Sequence, residues 1–447
     1  MPDYAGPLLE RVVISRTLWL VVVWPIVGFL WQALVVRRRL LHARGADAAK
    51  RALGAARNAG VGCVVLAAAA TLAHSLVLAG APHGEQALFE PGAPGVRLGQ
   101  LDAQVDLLFD PLSAMFCALA CLVALGVAGF MARRPSPGGG WRPWAWLQLS
   151  LAGALVAFAA DGFLGTAIGW AMSAAAAAWL AGWNDSPRGL VAAMRGGVAI
   201  TAMLLGSALL FWGLGGSWDG DDYATDPQPR LAAVRAGAWP DGSGARDSLG
   251  GSAGIPGSGA LTFTSVPGTV VFIDDARSPA GESPFANVPV RAGSHALRVH
   301  SGAGANDDIL GRVTFEDGEE VALVPLGPTL AFRAIADQLS LRDRAENAPV
   351  RSALEGRVGP GAGAVVAASL VAFLLAAGLM SGAMPSGSVP PALAALAHGA
   401  TMAALGPYLI ARIAFLFPLA QSTWIAVEAA GAAILLVAGW RAPTSSG

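Results

Sequence analysis

The sequence predicts an all-α polytopic membrane protein of about nine transmembrane helices, carrying one small antiparallel all-β domain inserted outside the membrane. Three observations predict it. Hydrophobic residues make up 54% of the 447-residue chain and charged residues only 13%, where a water-soluble globule carries about a quarter charged. The charges are also crowded together: residues 216–358 hold 19 acids and 12 bases, so an apolar body surrounds one polar block. Inside that block the hydrophobic period drops to two, the signature of strands.

The apolar body divides into uncharged stretches close to the roughly 20 residues needed to cross a bilayer with every backbone polar group satisfied. They run from Thr17 to Val36, Ala59 to Gly80, Pro111 to Met131, Trp144 to Ala160, Gly162 to Trp183 and Gly196 to Gly215. After the polar block come Gly361 to Met384, Pro391 to Ala411 and Thr423 to Gly439. Twenty apolar residues without a small-residue cleavage site do not fit a signal peptide. Basic residues set the expected orientation. Arg37, Arg38, Arg39, Arg44, Lys50, Arg51 and Arg57 follow the first span against a single Asp47. The next loop instead carries Glu85, Glu90, Asp102, Asp106 and Asp110 against Arg97. The N-terminus and the polar block are therefore expected outside, and the C-terminal tail inside.

The polar block begins with residues 216–259, rich in Gly, Ser, Asp and Pro. Too little apolar surface is available there to offset ordering entropy, so a flexible linker is expected. Residues 260–328 contain the alternating runs LTFTSVPGTVVFID, ALRVHSG, GRVTFEDG and EVALVPL and are expected to form a compact antiparallel sheet. A polar helical connector follows over 329–359, and the last helices over 360–441.

Net charge is −1, which offers no basic surface of the kind nucleic acid requires, and no nucleic-acid partner is expected. Cys63, Cys117 and Cys121 each sit in an apolar run, so neither a disulfide framework nor a metal site is expected. No glycine-rich dinucleotide fingerprint and no cysteine cluster occur; no cofactor and no catalytic residue is assigned.

Within the β block, SVPGTVVFIDD and GESPFANVPVRAGSHALRV resemble a PEGA domain: Pro267, Gly268, Asp274, Gly281, Pro284, Ala292, Gly293 and His295 fit its pattern of turns. The resemblance implies a surface or envelope-associated role with a cell-envelope ligand, and no chemistry. His295, just past the Gly293 turn, is read as a turn residue.

The membrane body resembles the L-type, antiporter-like subunit of NADH–quinone oxidoreductase, respiratory complex I. In VDLLFDPLSAMF, Asp110, Leu112 and Ser113 match the acidic residue, Leu and Ser that precede the family's third span. Asp161 matches the Ala-Asp turn between spans four and five, Trp170 the following Gly-Trp, and Arg195 lies in AAMRGG, where the family has Ala-Ala-Met-Lys. In LAHGATMAALGPYLIAR, His398, Ala400, Thr401, Met402, Tyr408 and Arg412 all stand in family positions. The family moves protons along buried ionisable groups, which are costly in a bilayer and are retained for a pathway or an ion pair. Here most of that set is missing. Ala171 stands where the family has Glu, no Lys or Arg occurs between Arg357 and Arg412, and apolar or hydroxyl residues near Thr201 and Leu204 replace the charges of span six.

His398, Arg195, Asp161 and Glu428 remain as candidate proton-path or buried polar groups. His398 fits a residual polar role or a histidine bonded to a backbone carbonyl. Arg195 reads as an anchor at the inner membrane surface, and Asp161 as a cap of span five. Glu428 has no family counterpart. In the family an inverted second copy and a lateral helix follow, whereas this chain ends at Gly447, so a truncated relative is expected. The resemblance implies a multi-pass subunit of the bacterial inner membrane, partnered by other membrane-arm subunits and the lipid bilayer. The alternative is a membrane-anchored envelope protein presenting a PEGA domain, without transport activity.

Overall fold

In the computed structural model, the described residues are 12–81, 87–98, 101–133, 140–181, 186–213, 231–235, 258–263, 269–274, 279–282, 285–301, 308–315, 320–325, 332, 362–381, 393, 396, 401–414, 416–417 and 425. The body is a helical bundle: α1 (Leu20–Leu41), α2 (Ala46–Ala79), α3 (Pro111–Arg133), α4 (Arg142–Ala159), α5 (Phe163–Ala181), α6 (Ser186–Gly213), α7 (Ala362–Ser381) and α8 (Met402–Arg412). Five of these helices (α1, α2, α3, α5 and α6) are long and apolar enough to cross a bilayer, which marks a membrane-embedded protein. α7 adds a shorter apolar stretch, Ala364–Met380. The ninth expected span lies outside the described residues apart from Ile425.

α4 differs from those five in its surroundings. Every residue from Pro143 to Ala159 is buried, so protein rather than lipid surrounds it. A helix enclosed on all sides tolerates Gln148 and Ser150 because neighbouring segments take their hydrogen bonds, at the Gly60 carbonyl and Thr401 Oγ1. α1, α3, α5 and α8 all pack on it, while α6 joins α5 to α7. Small residues set the closest of these approaches. A Cβ on Gly153 would sit 2.5 Å from Ser173 Oγ and 2.7 Å from the Gly169 carbonyl, and one on Gly169 would sit 2.5 Å from the Gly153 carbonyl. The α4 and α5 backbones therefore touch at paired glycines.

Two glutamines clamp α2. Gln32 Nε2 donates to the Ala56 carbonyl at 2.7 Å and Gln148 Nε2 to the Gly60 carbonyl at 2.6 Å, one turn further along. Gln32 lies in a π-helical turn, Trp31–Val36, inside α1. Such turns shift the register of a helix and are frequent where one side chain must be aimed off the regular spacing.

The acidic loop after α2 is not irregular. Ala87–Leu98 (β2) and Leu101–Phe109 (β3) form an antiparallel hairpin, and β1 (Val12–Ile14) adds to β2 in parallel. The alternation of Leu101, Ala103, Val105 and Leu107 is the strand signal, beside the acids that suggested a loop. Gly92 is needed where β2 bulges, since any Cβ there would collide with the Val105 carbonyl. Glu90, on β2, reaches the start of α1: its Oε2 accepts from Leu18 N at 2.6 Å and Trp19 N at 3.3 Å. This remote carboxylate satisfies free N–H groups that no side chain of α1 itself caps.

Beyond the bundle the polar block forms two four-stranded sheets rather than one. The first, in the order β10-β9-β6-β7, joins Asp308–Phe315, Gly293–Ser301, Thr269–Ile273 and Gly281–Glu282 and is antiparallel throughout. The second, in the order β4-β11-β5-β8, joins Leu231–Arg235, Glu320–Pro325, Ser258–Phe263 and Phe285–Arg291, with β11 and β5 parallel. Alternation identifies strands but not their partners, and here the chain passes repeatedly between the two sheets. β4 and the first residues of β5 fall within the stretch expected to be linker; backbone pairing with β11 and β8 orders them although their composition is poor in large apolar residues. Of the expected helical connector only Phe332 is described.

One turn locks the first sheet. Asp274 has a φ of +53°, a conformation Asp tolerates because its short side chain bonds locally. Its amide donates to the Ala296 carbonyl at 2.7 Å, its Oδ1 accepts from Ala296 N at 2.9 Å and its Oδ2 lies 2.7 Å from His295 Nδ1. His295 Nε2 in turn lies 2.8 Å from the Arg291 carbonyl, and Gly293, at φ +141°, makes the bend that brings the ring back. Loss of one such bond weakens a site by about 0.5–1.5 kcal/mol. Asp274→Ala, which loses two side-chain bonds, is expected to speed amide exchange at Ala296 about tenfold; unchanged protection by hydrogen-exchange mass spectrometry would show the turn to be held by its backbone alone.

Candidate functional site

Three enclosed charges, Asp110, Asp161 and Arg412, gather at the end of the bundle where β1–β3 sit. Asp110 stands between β3 and α3 and caps α3. Its Oδ1 accepts from Ser113 N at 2.8 Å and its carbonyl from Ala114 N at 2.8 Å. Pro111 occupies the first helical position, where no donor is wasted. The second carboxylate oxygen, Oδ2, pairs with Arg412 Nη1. The two partners lie 302 positions apart in the chain.

Arg412 ends α8 and is held there by ring packing. The Tyr408 hydroxyl, one turn earlier, donates to the Phe158 carbonyl of α4 at 2.7 Å and lies 3.4 Å from Ser113 Oγ. The rings of Phe116, Phe158 and Tyr408 form a mutually tilted trio with centroids 4.9–5.3 Å apart. Phe332, reached after the β block, closes the guanidinium from another side: its ring lies 5.6 Å from Arg412 Cζ, and the Tyr408 ring 5.8 Å away. Phe332 also donates its amide to the Asp161 carbonyl at 2.7 Å and packs on Phe163. The Asp161 amide donates to the Asp106 carbonyl at 3.0 Å, and Leu107 bridges to Ala160, so the hairpin is stitched to the α4–α5 corner.

Only 7% of the Arg412 side chain is exposed, against 19% for Asp110. Nη1 is paired, whereas Nε and Nη2 have no hydrogen-bond partner among the described residues. Buried Asp161 adds to the negative field at the guanidinium. The arrangement holds one buried ion pair between two distant segments and presents no nucleophile–base pair. Among the described residues no group of three His, Cys, Asp or Glu side chains could hold a metal.

The residues singled out in the sequence separate into those inside this cluster and those outside it. Asp110, Ser113 and Asp161 belong to it, and Leu112 packs half-buried beside it. Trp170 is fully buried in α5, away from the ion pair, with its indole N–H unpartnered. Arg195 is exposed on α6. Ala171 is exposed on α5, and Thr201 is exposed on α6 with its hydroxyl returned to the Gly197 carbonyl. His398 and Glu428 lie outside the described residues. Buried His74 is satisfied locally, with Nδ1 at 2.8 Å from the Ala70 carbonyl and Nε2 at 3.2 Å from Thr17 Oγ1. Arg412 and Tyr408 entered the sequence reading only as matches to a motif, and their role in the cluster was missed. A lone Arg closing a span free of other charges is the signal that could have pointed to a buried partner. Gln32, Gln148 and Glu90 were missed for want of any motif.

No protein-family model matches the chain, and no curated protein is detectably similar to it.

Proposed function

We propose that the chain is an integral membrane subunit akin to the L-type subunit of a proton-translocating NADH–quinone oxidoreductase, with a structural or accessory part in that assembly. One observation carries the reading. The two segments that resemble the family most, around Asp110 and around Tyr408 and Arg412, meet at one buried ion pair. The finer architecture belongs to the same proposal: nine spans, an inserted PEGA-like β domain, N-terminus and β domain outside, and C-terminus in the cytoplasm of a bacterium. The separation of acids at the hairpin end from bases at the other end supports that orientation. Its partners are other membrane-arm subunits, and any enzymatic activity belongs to the assembly.

A specific observation favours the second reading, an envelope protein that presents its β domain without transport. Ala171, where the family carries an acid, is a small apolar side chain on an exposed face. Co-purification separates the two. Tagged protein extracted in mild detergent is expected to bring down membrane-arm and redox-arm subunits together, and recovery of none of them would sink the first reading.

A further inference from the structure

The end of the bundle opposite the ion pair carries a charge cluster with no role so far. Between Arg37 and Arg57 seven basic side chains face a single acid, Asp47. All seven are exposed, and among the described residues none makes an ion pair. Arg37, Arg38 and Arg39 end α1. Arg44 lies in the turn closed by Gly45 at φ +95°, and Lys50 and Arg51 open α2, which packs back along α1. The bases thus gather on one tip of a helical hairpin rather than along one helix.

Helix length carries that basic end out of the hydrocarbon and through the headgroup layer. At 1.5 Å per residue, the 34 residues of α2 span about 51 Å, against about 30 Å of hydrocarbon. The surplus falls at the basic start: the first exposed large apolar side chains of α2 are Val65 and Leu66, beyond Arg57 and Asn58. The bases are also mixed with exposed apolar groups. Leu34 is 65% and Leu41 74% exposed, and the Arg39 guanidinium lies 5.7 Å from the Trp31 ring. Aromatic, aliphatic and cationic groups interleaved at a helix end suit the boundary between acyl chains and phosphates, where long basic side chains reach outward while their stems stay apolar. A soluble polyanion would make no use of Leu34 and Leu41.

We propose that the α1–α2 tip binds the anionic phospholipid headgroups of its leaflet, its bases contacting lipid phosphates. The proposal rests on the membrane embedding of the helices and not on the family reading, so it survives a negative co-purification.

The test uses the full chain in phosphatidylcholine nanodiscs with a minor share of phosphatidylglycerol, with retained lipid counted by native mass spectrometry. Phosphatidylglycerol is expected to be enriched about tenfold over its bulk share, since each base near an anionic surface contributes about fivefold. Gln at Arg37, Arg38, Arg39, Arg44, Lys50, Arg51 and Arg57 together should abolish the enrichment, whereas Lys at the six Arg positions should keep it. In the unaltered protein the enrichment should fall as sodium chloride is raised, a readout that needs no variant. No enrichment, enrichment indifferent to salt, or equal loss in the Gln and Lys variants would overturn the proposal. Capture of a duplex DNA probe in preference to phosphatidylglycerol would also overturn it and assign the patch to nucleic acid.

Discussion

Arg412→Met is expected to destabilise the bundle by about 3–5 kcal/mol, the range found when one partner of a buried ion pair is removed and the other is stranded. Asp110 would keep its role as the cap of α3, but its Oδ2 would face Phe332 and Tyr408 in place of a cation. The double variant Asp110→Asn with Arg412→Met should recover most of that loss, because Asn still accepts from Ser113 N and the stranded Asp110 charge is gone. Unfolding of the detergent-purified protein, arranged as a double-mutant cycle, reads the coupling directly. A loss below about 1 kcal/mol for Arg412→Met would place the pair among exposed ion pairs and remove it as the tie between α8 and α3.

The second large effect is steric. Gly169→Val is expected to cost about 3 kcal/mol or more, the upper range for overpacking, because its Cβ would lie 2.5 Å from Ala157 N and from the Gly153 carbonyl. Those atoms belong to helix backbone and cannot rotate away as a side-chain tip would. Gly126→Val on α3 is the matched control: nothing lies within 4 Å of the added Cβ, and a change within about 0.5 kcal/mol is expected. Equal effects at the two glycines would mean that α4 and α5 are not packed backbone to backbone.

How much of this the sequence disclosed depends on the distance over which each feature is decided. The apolar helices were legible from composition, since bilayer thickness fixes their length locally. The strands of the β block were legible from period-two runs, but their division into two sheets was not, because Leu231–Arg235 and Glu320–Pro325 pair across 86 to 94 positions. The hairpin at Ala87–Phe109 was hidden by its own acids. Those acids turn out to be structural: Glu90 serves α1, and Asp106 Oδ1 accepts from Gly92 N at 2.8 Å. For the candidate site, the capping role of Asp110 could be read from Asp-Pro at the head of an apolar run. Its pairing with Arg412 could not, because no local rule links residues 302 apart.

The enclosure of α4 also bears on biogenesis. A segment that ends up buried on every side completes its packing only when all of its neighbours are present. Arg142–Ala159 would have to wait beside its predecessors until Phe163–Ala181 arrives, so the order of synthesis, N-terminal helices first, becomes part of what makes this protein able to assemble.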